Sequence, residues 1–126
     1  MPLYTLACRA PLPQDIREAV STAITQTHCA VTDAPPEFVN VVFMDGYPLK
    51  RGWQVAVIGG VRSGGNRNAT LIETLGQTLH ANICAAANLP PDELGIELVG
   101  VKASWVMEGG KILPEPGAEA AWLDQP

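Results

Sequence analysis

The sequence predicts an α+β (α/β) domain of two β-α-β units, a four-stranded mixed sheet with two helices on one face. Three observations lead there. Apolar segments follow the order strand-helix-strand, then strand-helix-strand, in halves of similar length. Both helical segments carry a one-sided apolar stripe. The second and third strands are apolar on both sides, which calls for cover on both faces of the sheet. Right-handed crossovers put both helices on one face, and a chain of 126 residues is enough for one domain and no more. The other face is therefore expected to be covered by further copies of the chain, in a closed assembly.

Residues 3–8 (Leu-Tyr-Thr-Leu-Ala-Cys) read as the first strand. Pro11 and Pro13 break it, and Pro13 is placed to begin a helix. Asp15 and Glu18 put acids in the first turn, where the helix dipole favours them. Ile16, Ala19, Val20, Ala23, Ile24 and Thr27 give that helix its stripe, which ends near Ala30 ahead of the turn Thr32-Asp33-Ala34-Pro35-Pro36. Phe38 to Met44 is the second strand, apolar on both faces except at Asn40. Gln54 to Ile58 is the third and runs into Gly59-Gly60. The loop from Val61 to Arg67 leads to a second helix, with Asn68 or Thr70 as cap and Glu73 completing a capping box. Ile72, Leu75, Leu79, Ile83 and Ala86 form its stripe, and Asn88-Leu89-Pro90-Pro91 ends it. Ile96 to Val101 is the fourth strand, and a Gly- and Pro-rich tail follows Trp105.

Composition narrows the function. A formal charge of −5 argues against a nucleic-acid partner, which needs a basic surface. No apolar run reaches the length of a membrane span, and no basic stretch precedes an apolar run at the start, so neither a membrane anchor nor a signal peptide is expected. Cys8, Cys29 and Cys84 are odd in number and scattered, which suits a reduced cytoplasm. Two histidines and no C-x-x-C make a zinc site a poor fit.

The residues that could carry chemistry are few. Removal of Met1 before a small residue would leave Pro2 as a free secondary amine, whose class titrates near pKa ~8 before the fold acts on it. Burial or a nearby cation brings that towards neutrality, where proton transfer is efficient. Arg62 and Arg67 lie at a strand-to-helix junction beside glycines, a composition suited to clamping a carboxylate, although two arginines on a loop are as readily solvated. The glycines match neither a P-loop nor a dinucleotide fingerprint. His28 sits near the end of the first helix, off the centre of its stripe, where a dipole-bound histidine is an ordinary finding. Glu108 precedes Gly109-Gly110 and reads alone as a turn residue. His80, in mid-helix, reads as exposed, and Trp53, Trp105 and Trp122 as core or interface residues.

Pro2 at a strand start, the doubled β-α-β order and the implied oligomer together look like the tautomerase superfamily (4-oxalocrotonate tautomerase-like). Within it the chain most resembles the cis-3-chloroacrylic acid dehalogenase group. The resemblance runs nearly end to end, through Met1-Pro2-Leu3-Tyr4, the helix ending in His28, Gly59-Gly60-Val61 and, most specifically, the segment from Glu108 to Gly117. It implies a site in which Pro2 and Glu108 are catalytic while His28, Arg62 and Arg67 bind substrate. Arg62 matches the family's first arginine if the loop is about two residues longer here. The family's tyrosine has no counterpart: its place falls near Leu98, and no tyrosine lies between Tyr47 and the C-terminus.

The function the resemblance implies is keto-enol tautomerisation of a small 2-oxo or unsaturated carboxylic acid by a cytoplasmic homotrimer, with no metal and no organic cofactor. Its alternatives are a hydratase or hydrolytic dehalogenase of cis-3-haloacrylate-type acids, and a non-catalytic interaction protein on the same fold. The tail, 108–126, is expected to pack on a neighbouring subunit of the single domain, 1–126. At micromolar concentration the protein should sediment as a stable trimer. A monodisperse monomer would remove the argument built on the doubly apolar strands.

Overall fold

In the computed structural model, residues 1–124 are described. Strand β1 (Leu3–Cys8) occupies an inner position of a four-stranded sheet whose order is β2-β1-β3-β4. It pairs in parallel with β2 (Asn40–Met44) and antiparallel with β3 (Val55–Ser63), which pairs in parallel with β4 (Leu94–Lys102). Helices α1 (Gln14–Thr32) and α2 (Ala69–Ala87) make the two crossovers. The expected pair of β-α-β units joined in one mixed sheet is therefore the observed fold. A short hairpin of β5 (Met107–Glu108) and β6 (Lys111–Ile112) and a five-residue helix α3 (Glu119–Leu123) follow. No helix among the described residues is long and apolar enough to cross a membrane.

Alternation along β1 decides what faces the helices. Tyr4, Leu6 and Cys8 are buried against Val20 and Ile24 of α1, Leu75, Leu79 and Ile83 of α2, and Val57 of β3. The alternate positions Leu3, Val42, Ile58 and Val99 lie on the opposite face of the sheet and are each at least 43% exposed. The chain thus has one covered sheet face and one bare apolar face, as the doubly apolar strands required.

The boundaries differ from the expected ones for local reasons. Helix α1 continues past Ala30 to Thr32 and stops where Asp33 adopts a left-handed conformation (φ 62°). Phe38 belongs to a 3-10 turn, Pro36–Phe38, rather than to β2. Strand β3 does not end at Gly59-Gly60 but runs on to Ser63, so Arg62 is a strand residue rather than a loop residue. Asn68 caps α2 by accepting the Leu71 N–H at 2.8 Å. That register makes Leu71 the third helical residue, so Glu73 closes no capping box and instead accepts from Gln77. His80 is half-buried, with Nε2 2.9 Å from the Leu94 carbonyl, which ties α2 to β4. Among the tryptophans, Trp53 packs on Gly95 and Trp122 edges onto Phe38, while Trp105 is exposed.

Gly59 stands opposite Tyr4 in the antiparallel pair. A Cβ at Gly59 would come within 2.6 Å of the Tyr4 ring and 2.7 Å of the Leu98 side chain. The glycine is what admits a full phenol ring between sheet and helix. Gly59→Ala should cost ~1–3 kcal/mol of stability by overpacking, read from the denaturant midpoint. An unchanged midpoint would show that the ring has room to shift.

Candidate active site

The site assembles where the N-terminus, the end of β3 and the C-terminal tail meet. Pro2 is buried at the entry to β1, and its carbonyl accepts the Asn40 N–H at 3.0 Å, starting the β1–β2 ladder. With Met1 in place the free ammonium belongs to Met1, and the proline nitrogen is an amide without a proton. That ammonium pairs with the Glu108 carboxylate, delivered by the β5–β6 hairpin. The structure thus brings Glu108 to the N-terminus across more than a hundred residues of sequence.

His28 is not at the dipole end of its helix. Because α1 continues to Thr32, His28 lies a turn inside it, four residues beyond Ile24 and eight beyond Val20, and is wholly buried. Its Nδ1 is 2.7 Å from the Tyr4 hydroxyl, and the two rings meet edge to face. Burial, then the charges of Arg67, Arg62 and the N-terminus, bring the imidazole down to about 3. His28 is therefore neutral at ordinary pH. Burial likewise pushes the Tyr4 phenol above its usual value, against the pull of Arg67.

The two arginines have different surroundings. Arg67 follows a turn in which its own N–H donates to the Gly64 carbonyl at 3.0 Å. Its guanidinium, 8% exposed, makes one long hydrogen bond, 3.3 Å to the Arg62 carbonyl. Burial and the Arg62 charge depress its pKa, with Glu119 and Tyr4 opposing. Arg62 is 1% exposed. Alternation from the buried Val61 puts it on the face away from the helices, where the tail covers it. Its Nη2 lies 2.6 Å from Glu119 Oε1, its Nη1 donates to the Pro114 carbonyl at 2.5 Å, and the Phe38 ring lies 5.9 Å from its Cζ.

His28 Nε2, Arg62 Nε and Arg67 Nε are buried without a hydrogen-bond partner among the described residues. Buried polar atoms left unpaired are costly in a finished core, and here three of them sit in groups whose charges reach one another. Such an arrangement can receive an anion. An open concavity of about 530 Å³ lies beside Met1 and Glu108, walled by Leu3, Val42, Val101 and Trp105 on the bare side of the sheet. Neither it nor the larger groove of about 660 Å³ between α1 and α2 is lined by His28, Arg62 or Arg67.

Two residues in this cluster escaped sequence reasoning. Tyr4 carries a phenol into it from β1, with β3 between it and the position near Leu98 that lacks one. Its signal was the alternation in Leu3-Tyr4-Thr5-Leu6, which turns Tyr4 inward. Glu119 had no readable signal, because only the folded tail shows what it meets. Within its own chain the tail, 108–126, packs through Pro114, Pro116 and Glu119, and its residues 125–126 lie outside the described residues.

Solved structures similar to this one point in one direction. The structure of N1, a member of the cis-3-chloroacrylic acid dehalogenase family, matches with a TM-score of 0.88 and 29% identity, covering 99% of this chain and 93% of that one. A fused 4-OT protein solved as an asymmetric trimer matches with a TM-score of 0.77 and 16% identity, over 98% of this chain and 100% of that one. Macrophage migration inhibitory factor of Toxoplasma gondii matches with a TM-score of 0.70 and 14% identity, over 87% and 98%. No family model and no curated protein matches the sequence. The chain has the tautomerase-superfamily fold, and its structural neighbours include a member of the cis-3-chloroacrylic acid dehalogenase family.

The depressed pKa of His28 sets a pH dependence. An unfolded histidine takes up a proton as pH falls through ~6.5, whereas the folded one does so only near 3. The stabilisation is thus complete above ~6.5 and is lost on acidification, by up to ~1.4 kcal/mol per pH unit between those values. Urea midpoints at pH 7.5 and 4.5 should fall more steeply in the native protein than in His28→Gln. Parallel slopes would mean that the imidazole is hydrated.

Proposed function

We propose that the protein is a tautomerase-superfamily enzyme that moves a proton on a small 2-oxo acid, with Pro2 as the catalytic amine once Met1 is removed. The observation that carries this reading is the set of buried, unpaired atoms of His28 and Arg67 beside an N-terminus that already has Glu108 against it. Arg67 would grip the substrate carboxylate through its open guanidinium edge. With the Tyr4 hydroxyl donating to Nδ1, the His28 proton rests on Nε2, a neutral N–H donor aimed at the same anion. The neutral Pro2 amine would take a proton from the carbon next to the keto group. The enolate charge would be drawn towards Arg67 and Arg62. Reprotonation on oxygen gives the enol, and the reverse course gives the ketone. Glu108 would orient the amine and carry the second proton.

A second reading has its own support. Glu108 against the N-terminal ammonium is the counter-ion that a proton-donating Pro2 needs, and the similar N1 protein carries the name of a dehalogenase family. In that reading Pro2 gives a proton to the carbon next to the carboxylate of a haloacrylate while water adds at the neighbouring carbon. The homotrimer belongs to both readings, with the bare apolar sheet face as the contact surface.

Intact mass first establishes that Met1 is absent from the active protein. Ketonisation of an arylpyruvate enol should then exceed turnover of cis-3-chloroacrylate. Arg67→Ala should lose ~2–5 kcal/mol in kcat/KM, the scale of a truncated buried charge pair. Haloacrylate turnover exceeding ketonisation would select the second reading. Unchanged turnover in Arg67→Ala would return this arginine to a structural role, and no turnover of either acid would overturn both readings.

A further inference from the structure

The tail supplies the site with a carboxylate of its own. Glu119 is 7% exposed and holds Arg62 by Nη2 at 2.6 Å, while its other oxygen accepts the Gly117 N–H at 2.9 Å. Pro114 takes the second terminal nitrogen of Arg62. The carboxyl is buried, which alone would favour its neutral form, but its own backbone N–H, Arg62 and the Gly117 N–H outweigh this and keep it ionised. Of the two buried guanidinium groups, one is therefore neutralised from within. Arg67 has no carboxylate at salt-bridge distance among the described residues.

We propose that Glu119 is a specificity-determining residue: it occupies Arg62 as a built-in anion, leaves Arg67 as the single open cation, and so restricts the site to monocarboxylates. The inference rests on the carboxylate-binding reading above. Two arginines side by side would suit a dicarboxylate, one carboxylate on each. With Glu119 bound, a second substrate carboxylate would have to share Arg62 with a buried anion, and like charges brought together away from water repel strongly. Arg62 keeps its field on His28 and Arg67 without contacting the substrate through its terminal nitrogens.

The matched probes are 2-oxopentanoate and 2-oxoglutarate, which have the same carbon count and differ in one carboxylate. Binding of both is measured by calorimetry on the native protein and on Glu119→Gln, which keeps shape and removes charge. The native protein should bind 2-oxopentanoate the more tightly. Glu119→Gln should shift the ratio towards 2-oxoglutarate by ~10-fold or more, the scale of a gained hydrogen-bonded ion pair, and Glu119→Gln combined with Arg62→Met should abolish that gain. A folded Glu119→Gln protein with an unchanged ratio would overturn the proposal. So would a native protein that binds 2-oxoglutarate as well as 2-oxopentanoate, a measurement that needs no variant to fold. If neither acid binds, or if Arg67→Ala leaves both affinities unchanged, the carboxylate-site reading itself fails. If 2-oxopentanoate binding depends on Arg67 while the ratio ignores Glu119, only the role of Glu119 fails.

Discussion

Two guanidinium groups beneath the surface of a small domain are the constraint around which this structure is arranged. Burying a cation costs several kcal/mol unless a partner meets it, and removing one member of a buried pair costs ~3–5 kcal/mol. Arg62 and Arg67 sit within a few residues of each other, so their repulsion adds to the cost. The fold offsets it unequally. Arg62 receives a carboxylate, a carbonyl and an aromatic face from three segments of chain. Arg67 receives one long hydrogen bond. The substrate carboxylate proposed above would give Arg67 the partner that the fold does not supply.

Burial first, and the same charges after it, explain the state of His28. Fixed by Tyr4 and pressed by two cations, the imidazole cannot become a third positive charge. It contributes a hydrogen bond to the Tyr4 hydroxyl instead. Tyr4 in turn needs Gly59 to make room for its ring. A glycine in β3, a phenol in β1 and an imidazole in α1 thus form one packed row, and the row ends at the guanidinium groups.

Much of this was legible in the sequence because it followed from periodicity. The six-residue first strand lies where expected, and the helical stripes and two-sided apolar strands, also local patterns, are present with shifted ends. His28 was misplaced by ending α1 at Ala30: its spacing of four from Ile24 continues the stripe, and only the left-handed turn at Asp33 shows that the helix lasts long enough to bury it. Gly59-Gly60 looks like a strand end and so puts Arg62 on a loop, yet paired strands carry β3 through the glycines to Ser63. Glu119 could not have been read at all. Nothing near it in sequence distinguishes it from Glu115, and its role depends on a partner 57 residues away.

The tail's interlock with the arginine loop also fixes the order in which the molecule can be built. Gly64 and Gly65 have left-handed backbones, and the space a side chain would need there is filled by Glu115 and by the Pro116 carbonyl. The pairs that define the site join residues separated by 57 and by 107 positions. Contacts that close such long loops form after the local ones. During synthesis both helices and all four strands of the sheet are complete before Glu108 and Glu119 have been added. Until the tail docks, Arg62 lacks the carboxylate and the carbonyl that the tail brings. The final residues of the chain then act less as an appendage than as the keystone set after the arch is standing.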